Sequence, residues 1–209
     1  MKIGLIADVH ADLPSLRRAL DILDGQGVQQ VVCAGDLVGK GLDGDAVVRL
    51  LRERDIPCVL GNHDADAEQN NAWLSRRYGR DHAMILDAET AQYTARLPDH
   101  LRFEWAGLRA YMTHGTPWSN LDYLFPFSKT ETFRQVVTAA QSDLIILGHT
   151  HAPMLAQVGA AWVVNSGSVC GERSDGSSTC AVVTLPTLHV QHYNVLTGER
   201  VNAPFVRHE

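Results

Sequence analysis

The chain has 209 residues, of which 45% are hydrophobic and 20% are charged, and its formal net charge is -6. This length predicts a single domain over residues 1–209, and the composition is typical of a globular protein with a substantial core. The negative charge disfavours a nucleic-acid polymer as partner, because affinity for a phosphate backbone comes mainly from Lys and Arg. No apolar run approaches the ~20 residues of a membrane span, so no membrane partner is expected.

The first third of the chain alternates between predicted strands and helices. Short apolar runs predict strands over residues 2–7, 30–34 and 56–60. Leucines at helical spacing predict a helix from Leu13 that ends near Gly25, and a second apolar pattern predicts a helix around residues 46–51. This β-α-β-α-β order predicts parallel strands with helices packed on the sheet.

The middle of the chain is more helical. Helices are predicted over residues 65–79 and 88–97, and a hairpin is predicted around Ala106-Gly107. Ser128 and Glu131 form a capping-box pattern that predicts a helix running to about residue 141. The remaining strands are predicted over residues 101–105, 108–113, 143–147, 154–158, 161–165, 180–185 and 188–195.

Residues 116–127 are rich in aromatic side chains and have no clear period. They predict a long loop, and long loops in compact domains are often functional. We therefore expect this loop to form part of the wall of a substrate pocket.

Four cysteines bear on the compartment of the protein. Cys33 and Cys58 lie in apolar runs, where a cysteine behaves as a small hydrophobic residue. Cys170 and Cys180 could pair across a turn, although their spacing does not establish a disulfide. We favour four thiols in a reducing compartment. Since no basic segment followed by a long apolar run is found near Met1, no signal peptide is predicted and a cytoplasmic location is expected.

Five short polar motifs recur along the chain, and most directly follow a predicted strand. Side chains beyond the carboxyl ends of parallel strands converge on one crevice, so we expect the motifs to meet in space. The first two motifs are weak evidence alone, because a single Asp after a strand is usually a turn residue. The Gly-His-x-His motif is moderately specific, because two imidazoles at i and i+2 on extended backbone point the same way. The motifs are Asp8-Val9-His10, Gly35-Asp36, Gly61-Asn62-His63-Asp64, His114-Gly115 and Gly148-His149-Thr150-His151.

The residue types in these motifs predict a metal site. Imidazole nitrogens mixed with carboxylate oxygens suit Mn, Fe, Zn or Ni better than Mg or Ca. No cysteine belongs to the motifs, which argues against a structural zinc site. Seven ligands are too many for one tetrahedral ion and suit two ions that share a carboxylate. The predicted ligands are Asp8, His10, Asp36, Asn62, His114, His149 and His151. The histidines outside the motifs are interpreted as ordinary surface or strand residues; they are His82, His100, His189, His192 and His208.

This series of motifs resembles that of the calcineurin-like metallophosphoesterases, and in particular their small bacterial phosphodiesterase-type members. The similarity continues through Asn165-Ser166-Gly167-Ser168 and covers nearly the whole chain. The resemblance implies an α/β fold, a four-layer αββα sandwich of two mixed β-sheets flanked by helices.

The resemblance also implies a role for each motif residue. One ion would be held by Asp8, His10, Asp36 and His151, and Asp36 would bridge to the other. The second ion would be held by Asp36, Asn62, His114 and His149. A hydroxide held between the ions would attack phosphorus, and His63 would act as the general acid that protonates the leaving group.

Two departures from the phosphoprotein phosphatase pattern argue against that activity. Those enzymes carry G-D-x-V-D-R-G, whereas this chain has Gly39 and Lys40 in place of the second Asp and the Arg. Lys40 replaces a Tyr of the small bacterial members, and we identify it as a candidate substrate-binding residue. Arg173 is a second candidate, and a solvated loop position is an equally good interpretation of it.

The favoured function is hydrolysis of small phosphodiesters or nucleotides with two divalent ions, Mn²⁺ being the first choice and Fe, Zn or Ni the alternatives. A phosphomonoesterase, including a protein phosphatase, is the first alternative. A non-catalytic scaffold resembling a eukaryotic retromer subunit is less favoured, because that subunit lacks the histidine corresponding to His63. A nuclease is disfavoured by the short, acidic chain. Homo-oligomer formation is left open.

Overall fold

The computed structural model describes residues 1–171 and 178–209. Its strands are β1 (Lys2–Ile6), β2 (Gln30–Cys33), β3 (His100–Trp105), β4 (Leu108–Thr113), β5 (Leu144–Leu147), β6 (Met154–Val158), β7 (Ala161–Asn165), β8 (Thr179–Thr184), β9 (His189–Asn194), β10 (Arg200–Val201) and β11 (Phe205–His208). Its helices are α1 (Leu13–Gly25), α2 (Gly44–Glu53), α3 (Asn62–Ala65), α4 (Ala67–Tyr78), α5 (Ala88–Thr94) and α6 (Thr130–Ala140).

The strands form two mixed sheets, as predicted for this fold class. The first sheet has the order β10-β9-β8-β1-β2, and the second has the order β11-β6-β7-β5-β4-β3. In the first sheet β1 pairs in parallel with β2 and antiparallel with β8. In the second sheet β5 pairs in parallel with both β4 and β7. Each sheet therefore contains parallel neighbours, β1 and β2 in the first and β4 and β5 in the second, at whose carboxyl ends polar turns can converge.

The core lies between the sheets and under the helices on their outer faces. Leu5 on β1 and Met112 on β4 belong to one buried cluster, which joins the inner faces of the two sheets. On the outer face of the first sheet, α1 buries Leu16 against the sheet. On the outer face of the second sheet, α6 buries Phe133 against Ile145 of β5. These packed layers hold the ends of β1, β2, β4 and β5 in fixed positions.

Two local predictions need correction. Residues 56–60 are extended beside β2 but form a single bridge, between Cys58 and Cys33. Pro57 accepts a hydrogen bond from Cys33 N but has no N–H to continue the ladder. The predicted capping box is also wrong: Ser128 Oγ accepts a hydrogen bond from Phe125 N at 3.0 Å and so closes the preceding turn. The strands β10 and β11 were not predicted.

The cysteines agree with the prediction of four thiols. All four lie within the described residues, and no disulfide joins them. Cys170 and Cys180 therefore form no disulfide with each other. Among residues 1–171 and 178–209, no helix is both long enough and apolar enough to cross a membrane.

Candidate metal centre

The turns that carry the predicted ligands follow the carboxyl ends of four strands. Asp8 and His10 follow β1, Asp36 follows β2, His114 follows β4, and the turn 148–151 follows β5. Since β1 and β2 are parallel neighbours in one sheet, and β4 and β5 in the other, these turns meet across the top of both sheets. The predicted convergence is thus present in the structure.

The backbone at the site is held in an unfavourable conformation. Positive φ angles occur at Asp8 (53°), His10 (48°), Asp36 (55°), His149 (65°) and His151 (57°). For a residue with a Cβ this region costs roughly 1–2 kcal/mol, and such residues cluster at functional sites when the surroundings hold them there. Hydrogen bonds between the turns hold these residues in place, for example the bond from His10 N to Asp36 O at 2.9 Å.

Asp8, His10 and His151 form the first group of donor atoms. The Nε2 atoms of His10 and His151 are 3.0 Å apart. Asp8 Oδ1 lies 3.3 Å from His151 Nε2 and, among the described residues, has no hydrogen-bond partner although it is fully buried. Two nitrogens bound at about 2.1 Å to one ion, at a right angle, lie about 3.0 Å apart. A divalent cation between these three side chains therefore fits the geometry and would satisfy the buried oxygen.

A second group forms around His114. Its Nε2 lies 3.1 Å from Asn62 Oδ1 and 3.4 Å from Asp36 Oδ2. Donor atoms of Asp36, His114 and His149 all lie within 4.8 Å of one another. This group contains three kinds of donor, a carboxylate, an amide oxygen and two imidazoles, which is a set that suits a transition-metal ion.

The Asp36 carboxylate lies between the two groups. Its Oδ2 is 3.6 Å from His10 Nε2 and 3.4 Å from His114 Nε2, so it faces a ligand of each group. Its Oδ1 accepts a hydrogen bond from His63 N at 2.9 Å. One oxygen is therefore directed at both groups, and the other fixes the turn that carries His63.

Backbone carbonyls orient two of the candidate ligand imidazoles. His114 Nδ1 lies 2.7 Å from Ala34 O, and His149 Nε2 lies 3.1 Å from Leu121 O. A carbonyl only accepts hydrogen bonds, so these nitrogens donate to it. In the neutral ring the other nitrogen then carries a lone pair, as is usual for metal-binding histidines, and in His114 this nitrogen faces Asn62 and Asp36.

The protonation of the histidines follows from burial and from the nearby carboxylates. Burial lowers the pKa of His10 to about 4, although Asp36 and Asp8 oppose this shift. At His114 burial also lowers the pKa, but attraction to Asp36 outweighs it and the net pKa rises to about 9. Burial alone would raise the pKa of Asp36, whereas its contact with His114 brings it below the usual range. The site thus favours a positive charge beside Asp36, whether a proton or a metal ion.

A cavity of about 250 Å³ opens over the two groups. Lys40, predicted as a substrate-binding residue, is exposed and lines this cavity, as does His63. The ring of His63 meets that of His10 edge-on, with 4.9 Å between ring centroids. Arg173, the other predicted substrate-binding residue, lies outside the described residues. The full lining is Asp36, Lys40, Asn62, His63, Tyr123, His149 and His151.

One neighbour of the site was not expected from the sequence. The Sγ atom of Cys170 and nitrogen atoms of His10 and His151 lie within 4.8 Å of one another. The five motifs contain no cysteine, so this neighbour was not predicted. Cys170 is distant in sequence from His10, and the packing of the segment after β7 against the end of β1 brings the two together.

Comparison with known proteins identifies the family. Residues 1–187 match the calcineurin-like phosphoesterase superfamily domain. The chain belongs to this superfamily. This superfamily is metal-dependent, which agrees with the donor groups described above.

Three similar proteins illustrate the range of this superfamily. The chain is 26% identical over 163 residues to the uncharacterized protein MJ0912 of Methanocaldococcus jannaschii, covering 73% of this chain and 63% of that protein. It is also 26% identical over 173 residues to Phosphodiesterase MJ0936 of the same organism, covering 82% of this chain and 86% of that protein. The crystal structure of a metallophosphoesterase from Sphaerobacter thermophilus shares the fold, with a TM-score of 0.76 and 23% identity, and covers 98% of this chain and 90% of that one.

In this member of the calcineurin-like phosphoesterase superfamily, Asp64 supports the turns that carry two candidate ligands, Asp36 and Asn62. Its Oδ1 accepts hydrogen bonds from Leu37 N at 2.9 Å and Val38 N at 3.1 Å, and its Oδ2 accepts one from Gly61 N at 3.0 Å. Burial, and secondly repulsion by Asp36, raise the pKa of Asp64 to about 7. The sequence placed Asp64 in a motif but gave it no role, because two of its three partners are backbone groups of the turn after β2.

Asp64→Ala is expected to lower the free energy of unfolding by about 3 kcal/mol or more. The change leaves three N–H groups without their acceptor, and a buried unsatisfied group costs about 1–3 kcal/mol. Urea unfolding of the metal-free protein measures the loss. Asp66→Ala is the matched control, because Asp66 is exposed and its side chain makes no capping hydrogen bond. Equal stability of the two variants would contradict the supporting role of Asp64.

Proposed function

We propose that this protein hydrolyses small phosphodiesters or nucleotides with two divalent transition-metal ions. The observation that carries the proposal is the position of Asp36 Oδ2, 3.6 Å from His10 Nε2 and 3.4 Å from His114 Nε2. Two donor groups that share one carboxylate suit two ions. Mn²⁺ is the proposed ion, and Fe, Zn or Ni are the alternatives.

The proposed ligands divide between the ions as the family resemblance implies. The first ion is held by Asp8, His10 and His151, and the second by Asn62, His114 and His149, with Asp36 shared. The buried Asp8 Oδ1 and the facing His10 and His151 nitrogens support the first assignment. The contact of His114 with both Asn62 and Asp36 supports the second.

The chain's own residues would complete the reaction. When bound, the two ions supply Lewis acidity toward the phosphoryl oxygens and lower the pKa of a water molecule. Lys40, on the cavity wall, offers a positive charge to a phosphate oxygen. His63 lies on the same wall and donates a proton to the leaving oxygen, which cannot depart readily as a free alkoxide.

The position of Tyr123 favours a diester substrate in which one of the two ester groups is a nucleotide. Tyr123 is 52% exposed, lines the cavity and stacks on the ring of His149 with 4.1 Å between centroids. A planar base entering the cavity would find this ring beside the phosphate position, and aromatic rings favour offset or edge-on contact. The similarity to Phosphodiesterase MJ0936 supports a diester over a monoester.

A substrate panel tests this proposal. Metal-loaded protein should hydrolyse bis(p-nitrophenyl) phosphate and nucleotide diesters faster than p-nitrophenyl phosphate. Tyr123→Leu should raise the KM for nucleotide diesters and leave that for a dialkyl diester unchanged, because only the nucleotide has a ring to stack. Faster hydrolysis of the monoester would favour a phosphomonoesterase, and no hydrolysis of any ester would contradict the proposed function.

Mn²⁺ is expected to restore activity to the metal-free protein better than Mg²⁺. Four of the seven proposed ligands are imidazoles, which bind Mn²⁺ more readily than Mg²⁺. The measurement is the initial rate of diester hydrolysis after addition of each ion to chelator-treated protein. Equal rescue by Mg²⁺ would count against the imidazole ligands.

A further inference from the structure

The segment that carries Cys170 is fastened to the turn that carries Asp8. Val169 N donates to Ala7 O at 3.0 Å, and Cys170 N donates to Asp8 O at 3.3 Å. Ser168 Oγ also donates to Asp8 O, at 2.9 Å. These bonds place residues 168–170 alongside the end of β1, where the first group of donor atoms begins.

The side chain of Cys170 faces that group. Its Sγ lies within 4.8 Å of donor nitrogens of His10 and His151, which are themselves 3.0 Å apart. Ser168 Oγ contacts the same sulfur at 3.2 Å. Because Ser168 already donates its proton to Asp8 O, it accepts from the thiol in this contact, which fixes the position of the sulfur.

A second observation points into the same space. Asp8 Oδ1 is fully buried, has no hydrogen-bond partner within the described part of the chain, and lies 3.3 Å from His151 Nε2. A buried carboxylate oxygen without a partner is costly unless a cation satisfies it. The Asp8 carboxylate and the Cys170 thiol therefore both lie near the facing nitrogens of His10 and His151.

We infer that Cys170 Sγ is a further ligand of the first metal ion, in addition to Asp8, His10, His151 and the shared Asp36. This inference rests on the proposed function for the presence of the ion. On binding, the thiol releases its proton to solvent and coordinates as a thiolate. Thiolate ligands select softer ions, so the first site should prefer Zn²⁺ or Fe²⁺ over Mn²⁺ more strongly than the second site does.

Cobalt substitution tests this ligand directly, without substrate. Metal-free protein loaded with Co²⁺ should show a near-ultraviolet thiolate-to-cobalt charge-transfer band. Cys170→Ser should lose the band and bind Zn²⁺ at the first site at least about tenfold more weakly. Loss of a residue that only contacts a ligand already weakens metal binding about 10–100-fold, so loss of a ligand should cost no less. Cys180→Ala is the matched control, because Cys180 lies in the hydrophobic core, and it should keep the band.

A second measurement needs no variant. In the unchanged chain, bound Co²⁺ should protect Cys170 from alkylation by iodoacetamide, as followed by mass spectrometry of the peptide. Two results with two cobalt ions bound would contradict Cys170 as a ligand and leave the proposed function intact. One is the absence of the band, and the other is alkylation of Cys170 to the same extent as in the metal-free protein. Failure to bind cobalt at all would overturn both the Cys170 ligand and the proposed function.

Discussion

Asp36→Asn is expected to remove both metal ions and to abolish hydrolysis. The substitution keeps the shape of the side chain, and its amide oxygen can still accept the hydrogen bond from His63 N. It removes the negative charge that faces His10 and His114 at once. Loss of an outer-shell partner costs about 10–100-fold in metal affinity, so loss of a shared ligand should exceed 100-fold.

Elemental analysis of the purified variant measures this effect. His151→Ala provides the comparison, because His151 belongs to the first donor group alone and its loss should leave the second ion bound. Asp21→Asn is the control for the chemical change, since Asp21 is an exposed residue of α1. Two ions retained in Asp36→Asn would show that Asp36 does not bridge.

His63→Ala is expected to retain both ions and to lose turnover. Its imidazole lies beside His10 and lines the cavity, while the neighbouring Asn62 supplies the proposed ligand oxygen. General acid catalysis is typically worth ~10²–10⁴-fold, and we expect a loss in that range for an alkoxide leaving group. The loss should be much smaller for p-nitrophenolate, which needs little protonation to depart.

The contrast between the two leaving groups separates three roles of His63. A uniform loss on both substrates would indicate that His63 binds phosphate instead of donating a proton. Loss of one ion from His63→Ala would indicate that His63 is itself a metal ligand. The structure allows this outcome, because a His63 donor atom lies within 4.8 Å of donor atoms of His10 and Asp36. No loss on either substrate would contradict a catalytic role for His63. His189→Ala is the control, because His189 is exposed on β9.

The ligand turns could be predicted because each signal is local. Asp8 and His10, for example, directly follow a short apolar run, and the alternation of strands and helices implies that such ends meet. The hairpin around Ala106-Gly107 could be predicted for the same reason, since both residues adopt the positive φ angles that a tight turn requires.

The remaining features depend on contacts that no local pattern encodes. The capping box failed because Ser128 forms its hydrogen bond with the preceding turn instead of with the helix. Asp64 acts through backbone N–H groups, which any residue could supply, so the sequence contains no sign of its partners. Cys170 reaches His10 only because the segment after β7 lies against the end of β1, a contact between residues 160 positions apart in the chain.

Titration of the metal-free protein with Mn²⁺ tests the central claim most directly. Bound metal and the rate of bis(p-nitrophenyl) phosphate hydrolysis are measured at each addition. If Asp36 is shared by two donor groups, the rate should stay low while one ion is bound per chain. It should then rise as the second ion binds and reach its maximum at two ions per chain. Full activity with one ion bound, or no activity with two, would contradict a dinuclear phosphoesterase.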